Sequence, residues 1–216
     1  MQDFKTRKLP FEVGAFKGKL RALKDKMQFS DPNNEAQKAG ICSASWSLFG
    51  QLWPASSILA TAVKQLDLKE RRILELGCGL GLPSLTLKFR GANITASDYH
   101  PLSREFLDYN SRLNNLANIP FLQLDWSNPP SGDHYDLIIA SDVLYDPGTP
   151  KLLGNAIAKM SSPACKVILS CPGRGYKNQF SRIMAGLGFK LTETPIAFSQ
   201  DEQAPFKGRL LTYQRF

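Results

Sequence analysis

The chain has 216 residues, of which 43% are hydrophobic and 21% are charged, an ordinary composition for a globular protein. This length can bury one sizeable core, and no apolar run approaches the ~20 residues that cross a bilayer, so no membrane partner is expected. The formal net charge of +8 favours acidic partners, nucleic acid among them.

The excess positive charge is concentrated near the N-terminus. Within the first 26 residues, eight cationic side chains face only three acidic ones. We expect residues 1–49 to form a basic N-terminal arm, and residues 50–216 to form a separate domain. Residues 11–29 fit either strands or a basic helix, and residues 31–54 are polar and irregular.

From residue 53 onward, short apolar segments alternate with segments of helical periodicity. Pro54 suits the first turn of a helix over residues 55–66. Further helices are predicted at residues 83–89, 102–114, 150–160 and 178–187. Strands are predicted at residues 72–76, 93–97, 120–124, 136–140, 166–170, 189–192 and 209–213. This alternation predicts an α/β fold with a mostly parallel sheet, helices on both faces, and an antiparallel edge made by the last two strands.

A glycine-rich segment, Glu75-Leu76-Gly77-Cys78-Gly79-Leu80-Gly81, leads from the first of these strands into a helix. Glycines allow a sharp turn and let a ligand approach the backbone closely. The spacing G-x-G-x-G differs from the dinucleotide pattern G-x-G-x-x-G, and no Gly-Lys-Ser/Thr follows as in a phosphate-binding loop. The acid Glu75 suits a cationic ligand. We therefore predict S-adenosylmethionine as the cofactor, because it carries an ammonium and a sulfonium but no pyrophosphate.

Two more strand ends carry residues that suit this cofactor. Asp98 ends the next strand about 20 residues beyond the glycines, where a carboxylate accepts hydrogen bonds from both ribose hydroxyls. Asp125 and Trp126 follow the third strand. There an acid can accept the adenine amino group and an aromatic ring can stack on the base.

The fourth strand, over residues 136–140, delivers Ser141, Asp142 and Tyr145 to the same rim, where a methyl acceptor would lie. Methyltransferases that act on exocyclic base amines carry Asn/Asp-Pro-Pro-aromatic after this strand. The chain contains Asn128-Pro129-Pro130, but one strand too early and followed by Ser131. The sequence therefore does not favour a base amine as the acceptor.

Together with Leu52-Trp53-Pro54, these motifs resemble the seven-β-strand protein lysine methyltransferases of family 16. The resemblance runs from about Gly50 to the C-terminus. It implies a Rossmann-like, seven-stranded, mostly parallel sheet with one antiparallel edge strand, and a class I methyltransferase domain over residues 50–216. It also implies N-methylation of a protein side chain, usually lysine, although members that modify arginine and relatives that modify histidine leave the acceptor open.

The resemblance also implies a role for each matching residue. Glu75, Gly77 and Gly79 would line the methionine end, and Asp98 would hold the ribose. Asp125 and Trp126 would bound the adenine, Trp53 would close over the cofactor, and Ser141 would lie beside it. The catalytic pair would be Asp142, which orients the acceptor ammonium, and Tyr145, which narrows the pocket.

Three alternatives stay open beside a protein substrate. The basic charge favours a nucleic-acid methyltransferase, and the same fold also serves small-molecule N-methyltransferases and binders without activity. The four cysteines form no C-x-x-C pair, which predicts a reduced, cytoplasmic protein without a metal site. The first residues form no apolar segment of the kind found in secretory signals.

Overall fold

The structure is a computed structural model that describes residues 4–69, 71–132, 134–173, 175–196 and 207–216. It begins with an antiparallel hairpin of β1 (Thr6–Val13) and β2 (Phe16–Leu23). Two short helices, α1 (Glu35–Lys38) and α2 (Ser43–Trp46), and a 3-10 turn at Ser47–Gly50 then lead into the regular part of the chain.

The regular part alternates strands with helices. The strands are β3 (Arg72–Leu76), β4 (Asn93–Asp98), β5 (Phe121–Gln123), β6 (Tyr135–Ser141), β7 (Ser161–Cys171), β8 (Lys190–Pro195) and β9 (Arg209–Arg215). The helices are α3 (Pro54–Val63), α4 (Leu82–Phe89), α5 (Ser103–Leu113), α6 (Thr149–Met160) and α7 (Lys177–Gly186). None of these described helices combines the length and apolar character that a bilayer crossing requires.

The seven strands β3 to β9 form one sheet in the order β5-β4-β3-β6-β7-β9-β8. Strands β3 to β7 pair in parallel, and β9 runs antiparallel to both β7 and β8. The predicted fold class is thereby confirmed, and the antiparallel strand lies one place inside the edge. The chain order reverses at β3 and β6, which puts a crevice at the carboxyl ends of these two strands.

Both faces of the sheet are buried. Along β3, Ile73 packs with side chains of α3, α4 and α5, whereas its neighbour Leu74 packs with those of α6 and α7. Successive side chains of a strand point to opposite faces, so a strand covered on both sides needs an unbroken apolar run. Ile73, Leu74 and Leu76 supply this apolar character in β3, in which Glu75 is a buried acid.

The N-terminal hairpin packs directly on the regular part. Its inward side chains Val13, Phe16, Leu20 and Leu23 are buried in the same hydrophobic cluster as α4 and α5. Residues 11–29, which fitted either strands or a helix, therefore contain the second half of a hairpin. Its lysines are exposed, whereas Arg21 packs over the Phe106 ring and pairs with Glu105. The first three residues of the expected arm lie outside the described residues, and a domain boundary near residue 50 stays a prediction.

The side-chain amides of Asn110 in α5 and of Asn114, the residue that follows this helix, cover the outer edge of β2. The Asn110 side chain accepts a hydrogen bond from the Arg21 N–H (2.6 Å) and donates to the Arg21 carbonyl (3.3 Å). One helical turn later, Asn114 makes the same pair of bonds with Lys19, at 3.0 and 2.8 Å. These amides satisfy main-chain groups that an uncovered edge strand would leave unpaired.

Candidate active site

A cavity of about 690 Å³ lies at the carboxyl ends of β3, β4, β5 and β6. Ligands bind at this position in open α/β sheets, and the volume falls within the range of small-molecule sites. The lining includes nine of the ten residues that the sequence singled out: Trp53, Gly77, Gly79, Asp98, Asp125, Trp126, Ser141, Asp142 and Tyr145.

The floor of the cavity is the turn between β3 and α4. Gly77 and Gly79 have φ angles of +66° and +52°, a region that favours glycine. A Cβ atom on Gly79 would lie 2.9 Å from the Phe49 carbonyl oxygen, so the two backbones touch at this point. The Cys78 N–H donates to the Ser97 carbonyl (2.9 Å), which ties the turn to β4.

Glu75 is the one predicted site residue that does not line the cavity. It is fully buried beneath the turn, where one carboxylate oxygen accepts hydrogen bonds from the Ser84 N–H (3.0 Å) and from the Ser84 hydroxyl. Burial raises the pKa of this carboxyl to about 8, although the bonds from Ser84 oppose the shift. Glu75 therefore holds the start of α4 against the turn, and its contact with a cofactor stays a prediction.

Asp98 joins the glycine turn to the end of β4. Its carboxylate accepts hydrogen bonds from the Gly79 N–H (2.8 Å) and from the His100 N–H (2.9 Å). Burial raises the pKa of the Asp98 carboxyl, and these backbone bonds oppose that rise. A carboxylate can accept about four hydrogen bonds, so Asp98 retains the capacity to bind hydroxyl groups in the cavity.

Aromatic rings form two sides of the cavity. Trp126 follows β5, and a Cβ atom on Gly77 would lie 3.6 Å from its ring. Trp53 also lines the cavity, and its ring is held by a hydrogen bond from Nε1–H to the Leu48 carbonyl (2.9 Å). Asp125 is exposed beside Trp126, and its side chain accepts a hydrogen bond from the Ser127 N–H (2.7 Å).

The end of β6 forms the fourth side. Asp142 has a φ angle of +52°, which is uncommon outside glycine but tolerated by Asp and Asn. Its N–H donates to the Ser170 carbonyl on β7 (2.9 Å), which fixes this left-handed residue at the rim. Tyr145 as a whole residue is more than half exposed, whereas the pKa of its hydroxyl is raised by partial burial of the phenol and by the Asp146 and Asp98 carboxylates.

The lining is acidic although the chain is basic. Four carboxylates, those of Asp98, Asp125, Asp142 and Asp146, belong to it, and no Lys or Arg does among the residues that the structure describes. The lining histidine, His100, has its pKa lowered to about 4 by burial and is neutral at physiological pH. The cavity therefore attracts cations and repels phosphates.

Sequence reasoning missed one residue that supports the floor. Asn110, fully buried on α5, donates a hydrogen bond to the Leu80 carbonyl in the glycine turn (3.2 Å) as well as pairing with Arg21. A polar residue on the apolar face of an amphipathic helix is the signal that could have found it. Within the described ranges, no group of three or more His, Cys, Asp and Glu side chains could hold a metal ion.

Comparison with known proteins supports the resemblance seen in the motifs. The model of a family described as lysine methyltransferase matches residues 42–185, more than half of the chain. The protein N-lysine methyltransferase METTL21A of Danio rerio is 32% identical over 60% of this chain and 64% of its own length. The histone-arginine methyltransferase METTL23 of Xenopus laevis is 30% identical over 44% of each chain, so the chain spans less than two thirds of either relative.

A solved structure shares the fold at low sequence identity. The 16S rRNA N2 G1207 methyltransferase of T. thermophilus, solved with AdoMet and guanosine, superposes with a TM-score of 0.69 at 15% identity. The superposition covers 98% of this chain and 51% of that one. At this identity, the likeness concerns the fold alone.

Proposed function

The chain belongs to the lysine methyltransferase family, and we propose that it transfers a methyl group from S-adenosylmethionine to a lysine side chain of a protein. The observation that carries this proposal is the acidic lining. A chain with a net charge of +8 places four carboxylates and no Lys or Arg around the described part of its cavity. A cationic acceptor and a cationic cofactor both match that lining.

The residues present fit the cofactor. The positive φ angles of Gly77 and Gly79 shape the cavity floor, and the cavity volume of about 690 Å³ admits a molecule of this size. Asp98 would bind the ribose, and Trp126 and Asp125 would bound the adenine. Trp53 would close over the cofactor, and Ser141 would lie beside it. When bound, the cofactor supplies an electrophilic methyl group on its sulfonium.

The acceptor side would act mainly by positioning. In the transfer, the lysine nitrogen would form a bond to the methyl carbon while the carbon–sulfur bond breaks, and the electron pair of that bond would stay on sulfur. Lysine must lose a proton first, because its usual pKa is ~10.4. The Asp142 carboxylate stabilises the charged amine, so it would orient the incoming ammonium, and water would take the proton. Tyr145 would narrow the entrance and align the amine.

After lysine, arginine is the methyl acceptor that the observations favour. A relative named a histone-arginine methyltransferase is 30% identical over 44% of this chain, and a guanidinium would also match the acidic lining. Nucleic acid fits less well, because a site for it needs Lys or Arg side chains against the phosphates. A small cationic metabolite remains an outcome of the test.

We also propose a cytoplasmic location, supported by four free cysteine thiols.

The test uses purified protein, S-adenosylmethionine with a labelled methyl group, and a cell lysate. We expect the label in a macromolecular fraction that protease destroys and nuclease leaves intact. Asp142→Asn keeps a residue that tolerates the left-handed backbone but removes the charge, and it should lower turnover by about 100-fold with cofactor binding retained. Asp67→Asn, at an exposed carboxylate outside the cavity, serves as the control. Label that nuclease releases, or that resides in one small metabolite, would overturn the protein assignment.

A further inference from the structure

The turn that follows β2 contacts the segment that forms one wall of the candidate active site. The Lys26 carbonyl accepts a hydrogen bond from the buried Ser47 hydroxyl. The Asp25 carbonyl accepts a longer one, of 3.5 Å, from the side-chain amide of Gln51, which lines the cavity. The end of the N-terminal hairpin is therefore tied to the segment that leads directly to Trp53.

The Lys26 side chain adds a contact with the ring of Trp53. Its Nζ atom lies 5.2 Å from the centroid of that ring, a distance at which an ammonium is attracted to the electron-rich face of an indole. The Nε1–H of the same ring donates to the Leu48 carbonyl (2.9 Å). The ring is thus held at its edge by a hydrogen bond and over its face by a cation.

The Lys26 ammonium lies near an acidic cavity without belonging to its lining. Trp53 lines the cavity together with four carboxylates, whereas Lys26 is exposed and does not line it. A lysine that acted only through its charge would disfavour a cationic cofactor at this place. Its contact with the ring supports a different role, because a ring that is fixed before binding loses less conformational entropy when a ligand arrives.

We infer that Lys26 is a positioning residue of the cofactor site, whose ammonium keeps the Trp53 ring in the orientation that closes over the cofactor. The inference rests on the proposed function, since it concerns the same cofactor. Lys26 acts through Trp53 rather than by touching the ligand. The basic N-terminal segment thereby gains a specific task at an acidic site, because one of its lysines covers a ring of the cavity wall.

The test measures the affinities for S-adenosylmethionine and S-adenosylhomocysteine by calorimetry. Lys26→Met keeps the length of the side chain without its charge, and it should weaken the binding of both ligands by about threefold. Lys26→Arg keeps a cation over the ring and should restore the natural affinities. Lys24→Met removes another exposed charge two residues earlier, as a matched control, and should leave both affinities unchanged.

A double-mutant cycle shows whether the effect passes through the ring. In Trp53→Leu, which lacks the ring, adding Lys26→Met should cause no further loss of affinity. The same loss in that background, or equal losses from Lys26→Met and Lys24→Met, would overturn the inference. Tighter binding of S-adenosylmethionine alone in Lys26→Met would also overturn it, because a pure charge effect favours only the cationic ligand.

A second readout needs no ligand. The chain has three tryptophans, Trp46, Trp53 and Trp126, so a protein labelled with fluorotryptophan gives one fluorine NMR signal for each, and Trp53→Leu identifies one of them. Lys26→Met should shift and broaden the Trp53 signal, whereas Lys24→Met should not. An unchanged Trp53 signal would refute the role of Lys26 alone. A natural protein that binds neither ligand would instead refute the proposed function.

Discussion

Asn110 links the N-terminal hairpin to the floor of the candidate active site. Its side chain makes three hydrogen bonds: it accepts from the Arg21 N–H and donates to the carbonyls of Arg21 and Leu80. Replacing the fully buried Asn110 with Ala would remove all three hydrogen bonds. We expect the substitution to lower both the stability of the fold and the affinity for the cofactor.

The expected magnitude follows from these bonds. Each contributes about 1 kcal/mol, so Asn110→Ala should lower the free energy of unfolding by about 3 kcal/mol. For a chain of this size, that corresponds to a fall in Tm of about 6–12 °C. Asn114→Ala also removes three hydrogen bonds, with Lys19 and with the Asn110 carbonyl. This position is half-buried, so water replaces the lost partners, and the cost should be about 1 kcal/mol.

The assay is thermal unfolding and calorimetric binding of S-adenosylhomocysteine to both variants. Asn110 lies within α5 whereas Asn114 follows its last residue, so the comparison of affinities, rather than of stabilities, isolates the contact with the glycine turn. Only Asn110 contacts the glycine turn, so its variant should bind about tenfold more weakly. Asn114→Ala should bind within about twofold of the natural protein. Equal affinities in the two variants would refute the coupling between the hairpin and the cofactor turn.

Three further predictions follow from the site. The folded-state pKa of Glu75, about 8, exceeds its ordinary value of 4.5, so the free energy of unfolding should decrease as pH rises from 4.5 through 8. Urea unfolding measured across this range should lose that pH dependence in Glu75→Gln. An unchanged pH dependence in the variant would show that Glu75 does not titrate in that range. The folded-state pKa of His100, about 4, lies below its ordinary value of 6.5, so the free energy of unfolding should decrease as pH falls from 6.5 through 4. His100→Phe should reduce that decrease in the same urea unfolding experiments. Gly79→Ala would place a Cβ atom 2.9 Å from the Phe49 carbonyl oxygen, whereas Gly40→Ala shares the positive φ but meets nothing within 4 Å. Both substitutions should lower the free energy of unfolding by about 1 kcal/mol, because alanine disfavours a positive φ angle. Gly79→Ala alone should also weaken S-adenosylhomocysteine binding. Equal binding in the two variants would refute the close contact at Gly79.

The sheet and the strand-end residues that line the cavity were predictable from local sequence. Strands buried on both faces need unbroken apolar runs, and the turn at Gly77 and Gly79 needs positive φ angles. Both requirements act on a few consecutive residues. The acids and aromatics at the strand ends could then be placed, because the carboxyl ends of parallel strands share one edge of the sheet.

The hairpin was not predictable with the same ease, because its partners are distant in the chain. The outer edge of β2 is closed by Asn110 and Asn114, about 90 residues further along. A local signal did exist, since two residues, Gly14 and Ala15, separate the two strands and Gly14 has a φ angle of +61°. The many cationic residues around it fitted a basic helix equally well.

The position of Glu75 depends on packing that the sequence does not display. A strand places alternate side chains on opposite faces, and the acid before the glycines faces the start of α4 rather than the cavity. The local partner is Ser84, which lies nine residues further on and donates both its N–H and its hydroxyl. The acidic character of the site instead comes from Asp98, Asp125, Asp142 and Asp146.

The most direct test of the central claim identifies the methylated residue. A lysate incubated with the purified protein and S-adenosylmethionine would be digested and analysed by mass spectrometry. The account predicts a gain of methyl groups on lysine in one protein or a few, lost with Asp142→Asn and retained with Asp67→Asn. Methyl groups on arginine, on histidine or on nucleic acid, or full turnover by Asp142→Asn, would contradict it.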